Sequence, residues 1–241
     1  MSEKTCKKEL YDFLMYSVFG IIDKEKDKNK KIKCARRAYR DLARTIKYKY
    51  SSSELEHAKK GSKEADFKAK RDSWIREMCI ELINSIDMFE KEKKEFDIWH
   101  KELCIKFVEP TEEDEVFCRG KEFLEEGITY GQAQKWLNMT LKYLWLMDLL
   151  PTSISPEWLH VPVDSYILKK LKQEDSFKER DDIKSDKYLD ETWSAFSNYD
   201  NYKELQERIR DMLQEELPIE WEGTAWIEIA NNGNGDTSKS K

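Results

Sequence analysis

The sequence predicts an all-α fold, and three observations carry that expectation. Only 8 glycines and 5 prolines punctuate 241 residues, so turn signals are sparse. Apolar residues recur mainly at three- and four-residue spacing, the period of a helix face rather than of a strand. Apolar types make up 39% of the chain, enough to bury a core at this length. Residues 1–230 are expected to form one helical domain. The polar tail "NNGNGDTSKSK" (231–241) has the composition of a disordered segment.

The first informative element is a basic helix over 31–49. Residues 24–49 hold twelve Lys/Arg and three acids, a net +9 in a chain of net −6, which leaves −15 elsewhere. On a helical wheel of "KIKCARRAYRDLARTIK", Ala35, Ala38, Tyr39, Leu42 and Ile46 share one face. Lys33, Arg36, Arg37, Arg40, Arg44 and Lys47 share the opposite one. The helix docks by small apolar residues and presents a ridge of cations that suits a phosphate backbone, because each neutralised phosphate releases counterion. A solvated face paired with acids is the bland alternative. A membrane-surface helix fits less well, since the apolar face offers Ala and Leu rather than large anchors.

Further along, "SSSELEHAKKGSKEAD" (51–66) is polar and reads as a loop. Residues 74–107 carry Trp74, Met78, Leu82, Ile86, Phe89, Phe96 and Trp99 at helical spacing and predict one or two helices. Pro110 followed by "TEEDEVF" predicts a helix start with Thr111 as N-cap and acids in the first turn. The charged stretch 173–190 reads as a surface loop. A last helix over "YKELQERIRDMLQEE" ends before Pro218.

The most apolar segment is "YGQAQKWLNMTLKYLWLMDLL" (130–150). Its large residues cover nearly the whole circumference, which predicts a central, buried helix. Lys135 and Lys142, seven apart on one face, are exceptional there: either the environment singles one out, or both stems lie along apolar surface with their heads in water. No charge-free run of 18 apolar residues exists and the N-terminal stretch lacks a cleavable apolar region, so no membrane partner and a cytoplasmic location are expected. Five cysteines without a CxxC pair, and three scattered histidines, form no metal-ligand spacing. No metal and no cofactor are expected, and the chain is expected to be monomeric.

Two stretches together carry a resemblance. "GQAQK" (131–135) opens the apolar helix, and "VPVDSYIL" (161–168) follows downstream. The pair resembles the helix-hairpin-helix DNA glycosylases, most closely the 8-oxoguanine type. In that family a glycine turn precedes a helix bearing a lysine, and a Val-Pro-Val-Asp segment delivers an aspartate at the start of the next helix. Gly131 matches the turn glycine, Lys135 the Schiff-base lysine and Asp164 the aspartate. Ala133 stands where the hairpin usually has a second glycine, and the lysine-to-aspartate interval of 29 positions is longer than the family's. The match covers under a fifth of the chain.

The resemblance implies a compact multi-helix glycosylase fold with a cleft between two helical subdomains. Residues 128–172 would form the hairpin-like motif and catalytic segment, with Gly131 and Gln132 on the DNA backbone beside Arg36, Arg37, Arg40 and Arg44. The implied activity is excision of a modified or damaged base from DNA, in base-excision repair or in defence against phage DNA with modified bases. Cleaving an N-glycosidic bond builds positive charge on the sugar, so the carboxylate of Asp164 near C1′ would stabilise the transition state. Lys135, once deprotonated, would attack C1′ and lead to strand cleavage by β-elimination, with Lys142 as its substitute. A flipped base needs aromatic walls. Trp158 and His160 rank first by closeness to Asp164, with Trp136 beside the lysine and Trp221 and Trp226 further off. Core packing is the commoner reason for any single tryptophan, and Asp164 has a second sufficient role as an N-cap. Two other classes remain open: a non-catalytic helical nucleic-acid binder, and a helical protein-interaction scaffold.

Overall fold

The computed structural model describes residues 3–90, 92–178, 189 and 191–235. These residues are helical, with no strand among them, as the three-and-four spacing requires. The chain divides into two compact units: Met1–Phe89 with Pro110–Gly127 and Met139–Pro151, and Glu90–Glu109 with Ile128–Asn138 and Thr152–Lys241.

In the first unit, α1 (Glu3–Phe19) is followed by α2 (Asp27–Leu42), which packs on α4 (Lys63–Asp87). The contact works because α2 presents Cys34, Ala35, Ala38 and Leu42, all without exposed surface, to an apolar row on α4 that includes Met78, Cys79, Leu82 and Ile86. Small side chains on one helix let the large ones of the other seat against its backbone. Trp74 of α4 donates Nε1–H to the Val116 carbonyl at 2.8 Å and stacks on Phe123. The segment 51–66 is not loop throughout: two helix starts fall within it, joined by a non-helical connection over 57–62. Ser51 and Glu54 form a capping box that starts α3 (Ser52–Glu56), and Ser62 caps α4 at Lys63. Polar composition hid these starts, because their stability comes from capping rather than from an apolar stripe. The start expected at Thr111 also shifts. The amide and hydroxyl of Thr111 both donate to Asp114 Oδ2, so Asp114 becomes the flanking residue and α6 (Glu115–Cys118) begins after it, followed by α7 (Gly120–Phe123).

The second unit holds α5 (Lys93–Val108), which with α4 makes the two helices of 74–107, then α9 (Ser165–Leu171), α10 (Asp175–Lys178), α11 (Tyr199–Leu213) and α12 (Pro218–Gly235). Packing is closest between α9 and α12. The charged stretch from 173 holds the short α10 rather than loop alone, while 179–188 and 190 lie outside the described residues. The tail expected from 231 is helical to Gly235, because α12 continues through the asparagines; 236–241 lie outside the described residues. Finally, α8 (Tyr130–Leu146) gives its first half to the second unit and its second half to the first. Every residue from Tyr130 to Leu141 is buried, as its all-round apolar surface requires.

Cys34, Cys79 and Cys104 are buried free thiols, and burial pushes Cys34 and Cys79 up to about 12. They are packed apolar residues, not nucleophiles. No helix among the described residues is long and apolar enough to cross a membrane.

Candidate active site

The extended run before α9 explains why a proline stands there. Val161, Pro162 and Val163 are buried, so their backbone polar groups need partners. Gln206 of α11 supplies both for Val161, accepting its N–H at 2.9 Å and donating to its carbonyl at 2.8 Å. Gln134 of α8 donates to the Val163 carbonyl at 3.1 Å. Pro162 brings no N–H that would need a partner in this buried run, and its ring fixes φ. Two buried glutamines therefore hold a strand-like segment with no strand beside it among the described residues.

That segment ends at Asp164, whose carboxylate does two jobs at once. Oδ1 accepts from the amides of Tyr166 and Ile167 at 2.9 and 3.1 Å and caps α9. Oδ2 accepts from Lys135 Nζ at 2.8 Å and from Trp226 Nε1 at 3.3 Å. The Lys135 side chain is 5% exposed and that of Asp164 13%. The structure thus brings together two residues 29 positions apart, and it selects between the two lysines: Lys142 stands two helical turns further along α8.

The residue beside Asp164 that sequence proximity ranked low is Trp226. It is 39% exposed and lies against Tyr166, with ring centroids 4.8 Å apart. The close packing of α12 on α9 places it there, a long-range contact with no local signal. Beside α9, a pocket of about 340 Å³ is lined by Ser165, Leu168, Lys169, Lys172, Glu191 and Trp193, among others.

Several residues expected at the site have other positions. Trp136 has no exposed surface and packs on Phe107 in the core, so it walls no open pocket. His160 is equally buried, with Nε2 at 2.8 Å from Asp97 Oδ1 and Nδ1 at 2.8 Å from the Tyr202 hydroxyl. Trp158 is half-buried against Phe96. Gly131 does not form a turn; it lies in the first turn of α8 and is buried. Its amide donates to the Phe196 carbonyl at 2.9 Å, so that amide is not offered to a phosphate. Gln132 is spent on the helix start: its Oε1 accepts from Thr129 N–H while Thr129 Oγ1 accepts from Gln132 N–H, a reciprocal cap. Of the basic ridge, Arg36, Arg40 and Arg44 are exposed, whereas Arg37 is ion-paired with Asp41, which also accepts from the Tyr143 hydroxyl.

Behind the clamp lies a polar network that sequence reading missed. Asn138 donates to Gln134 Oε1 and to the Tyr202 hydroxyl, and its Oδ1 lies 2.8 Å from His100 Nε2. With the links from Tyr202 to His160 and from His160 to Asp97, it forms an unbroken chain from Asp97 to the carbonyl of Val163. The visible signal was Gln134 and Asn138 on an otherwise apolar helix, since buried amides demand partners. Desolvation lowers His160 to about 4, although the bond to Asp97 opposes it, and burial lowers His100 in the same direction. Burial alone would raise Asp97, but the His160 hydrogen bond and the charge of Arg210 outweigh it and hold Asp97 well below the usual carboxylate range.

These directions fix the sign of a pH dependence. A histidine depressed from 6.5 to about 4 is neutral in the folded protein while the unfolded chain takes up a proton, so stability present above pH 6.5 is lost as pH falls to about 4. The expected loss from His160 is about 3 kcal/mol across that window. Asp97 adds its own loss only below its ordinary value of 3.8. Urea unfolding at pH 7 and pH 4 measures the difference. In His160→Gln it should shrink, and an unaltered pH dependence would show that the imidazole is not its source.

Among the described residues no group of three or more His, Cys, Asp or Glu side chains is placed to hold a metal ion. Compared with known proteins, the chain matches no family model, no curated protein and no solved structure.

Proposed function

We propose that the chain is a DNA N-glycosylase that excises a modified or damaged base, with lyase activity through Lys135. The observation that carries this reading is the contact of Lys135 with Asp164 at the start of α9, on the residues that carry the glycosylase resemblance. The glycosylase-like architecture with its cleft is part of the proposal. So is the choice between repair and defence against phage DNA with modified bases.

The residues fit the chemistry in stated ways. The carboxylate of Asp164 accepts from two backbone amides, from Lys135 Nζ and from the Trp226 indole N–H, and a carboxylate beside C1′ is what a cationic sugar transition state requires. For Lys135 to attack C1′ its amine must first give up a proton to water, so that Asp164 stays the anion facing the developing cation while the new C–N bond forms. The base then leaves with the electron pair of the glycosidic bond. Trp226 must release Oδ2 for a sugar to approach, which places an exposed aromatic ring beside the extruded nucleotide. A panel of duplexes with oxidised, alkylated and phage-type modified bases, scored for released base and for alkali-labile sites, tests the proposal. Release from no member of a broad panel, with DNA binding intact, would defeat it.

A second reading has its own support. Both oxygens of Asp164 are occupied and Lys135 is almost buried, which suits a structural ion pair in a non-catalytic nucleic-acid binder. Both readings use the exposed Arg36, Arg40 and Arg44. Replacing all three with Ala should weaken DNA binding and reduce the slope of log affinity against log salt by about 3, one counterion for each phosphate contact. An unchanged slope would take the ridge out of the DNA interface.

A further inference from the structure

α1 is the one described helix whose large apolar side chains face mainly outward. It touches its own unit along a narrow edge of half-buried Asp12, Met15 and Phe19, with Phe19 set edge-on against Tyr143 at 5.0 Å. Below it Ile21 is buried, and Lys33 Nζ donates to the Gly20 carbonyl, so the C-terminal end of the helix is anchored. From Leu10 to Val18 its other side chains are exposed. Leu10, Tyr11, Phe13, Leu14, Tyr16 and Val18 are each between 41% and 64% exposed, and Ile22 just beyond the helix is 53% exposed. An apolar surface on this scale around one helix marks an interaction face.

We propose that α1 is the interface of a homodimer, covered by the same face of a second copy of this chain. The area argues for it. At about 200 Å² for a large side chain, these fractions leave roughly 800 Å² uncovered on each copy, the share one partner contributes to a standard-size interface. The composition fits as well: Tyr, Phe and Leu at the centre, with Lys8, Glu9 and Asp23 at the rim and Lys8 already paired to Asp23 at 3.2 Å. Every copy carries this face at equal concentration, and twofold pairing of like patches is the commonest way to close it. A lipid surface fits poorly, because interfacial helices carry an excess of Lys and Arg on their polar face, whereas the three lysines of α1 are balanced by three acids.

Sedimentation velocity of the full chain at tens of micromolar tests this. The parent should sediment with twice the mass of one chain. Phe13→Glu and Leu14→Glu, both at positions already more than half exposed, should keep parental circular dichroism and weaken self-association at least about a hundredfold, since each buries a charge at the centre of the interface. Ile98→Glu, an exposed apolar position of α5, should leave the dimer intact and serves as control. A parent that stays monomeric over the concentration range, or a dimer that survives both α1 variants, would overturn the proposal. So would a monomeric parent that co-sediments with phosphatidylcholine–phosphatidylserine vesicles through α1, which would assign the face to lipid.

Discussion

Asp164→Asn is expected to lower base release about a thousandfold, because it removes the charge that faces the developing cation. The same substitution should cost about 3 kcal/mol of stability, and the geometry explains why. Asn caps a helix nearly as well as Asp, so the bonds to the Tyr166 and Ile167 amides survive. What is lost is the counter-charge of Lys135, whose side chain is 5% exposed, and removing one partner of a buried pair leaves the other charge uncompensated. Adding Lys135→Met should restore most of that stability, since apolar replacement of a whole buried pair is often neutral. Chemical unfolding and chromatographic detection of released base read the two effects separately. A folded Asp164→Asn protein with full activity would reduce Asp164 to a cap. A Lys135→Met/Asp164→Asn protein as unstable as the single variant would mean that the ion pair is not the source of the loss. Borohydride trapping of a covalent adduct, abolished in Lys135→Ala, is the matching test of the lysine as nucleophile.

Gly131→Ala is expected to destabilise the second unit by about 4 kcal/mol, above the usual range for overpacking because the obstacle is backbone. A Cβ at this position would lie 1.9 Å from the carbonyl oxygen of Trp193, and Phe196 Cβ is 3.3 Å away on the other side. Relief would require moving the turn Trp193–Ala195 off α8, which also breaks the hydrogen bonds from Gly131 N–H to Phe196 and from Thr129 Oγ1 to Ser194. Gly127→Ala is the control, since nothing lies within 4 Å of a Cβ there. Unfolding curves at pH 7 decide it: equal midpoints for the two variants would show that the turn yields cheaply.

The sequence by itself determined the helical class, because the three-and-four spacing of apolar residues admits no other regular structure. It determined the buried α8, whose apolar residues leave no polar face, and the docked side of α2, whose Ala35, Ala38 and Leu42 lie where the helical wheel put them. It also marked Asp164 as the start of α9, since an Asp ahead of a helical pattern has a local physical reason to be there. Local capping chemistry was legible in principle at Ser51 and Ser62, but polar composition outweighed it in the reading of 51–66. The tertiary structure alone decided what stands around Asp164. Closeness in the chain favoured His160 and Trp158, yet His160 turns inward to Asp97 and Tyr202, partners that lie far away in sequence. Trp226 reaches the carboxylate from 62 residues away because α12 packs on α9. Gly131 looked like a turn and is instead a point of close approach, a distinction that depends on where Trp193 lies and not on any neighbour in sequence. Non-local packing chooses among residues that local propensity leaves equivalent: the resemblance set Lys135 and Asp164 at one sugar, and the fold alone supplied their direct contact and the Trp226 indole beside it.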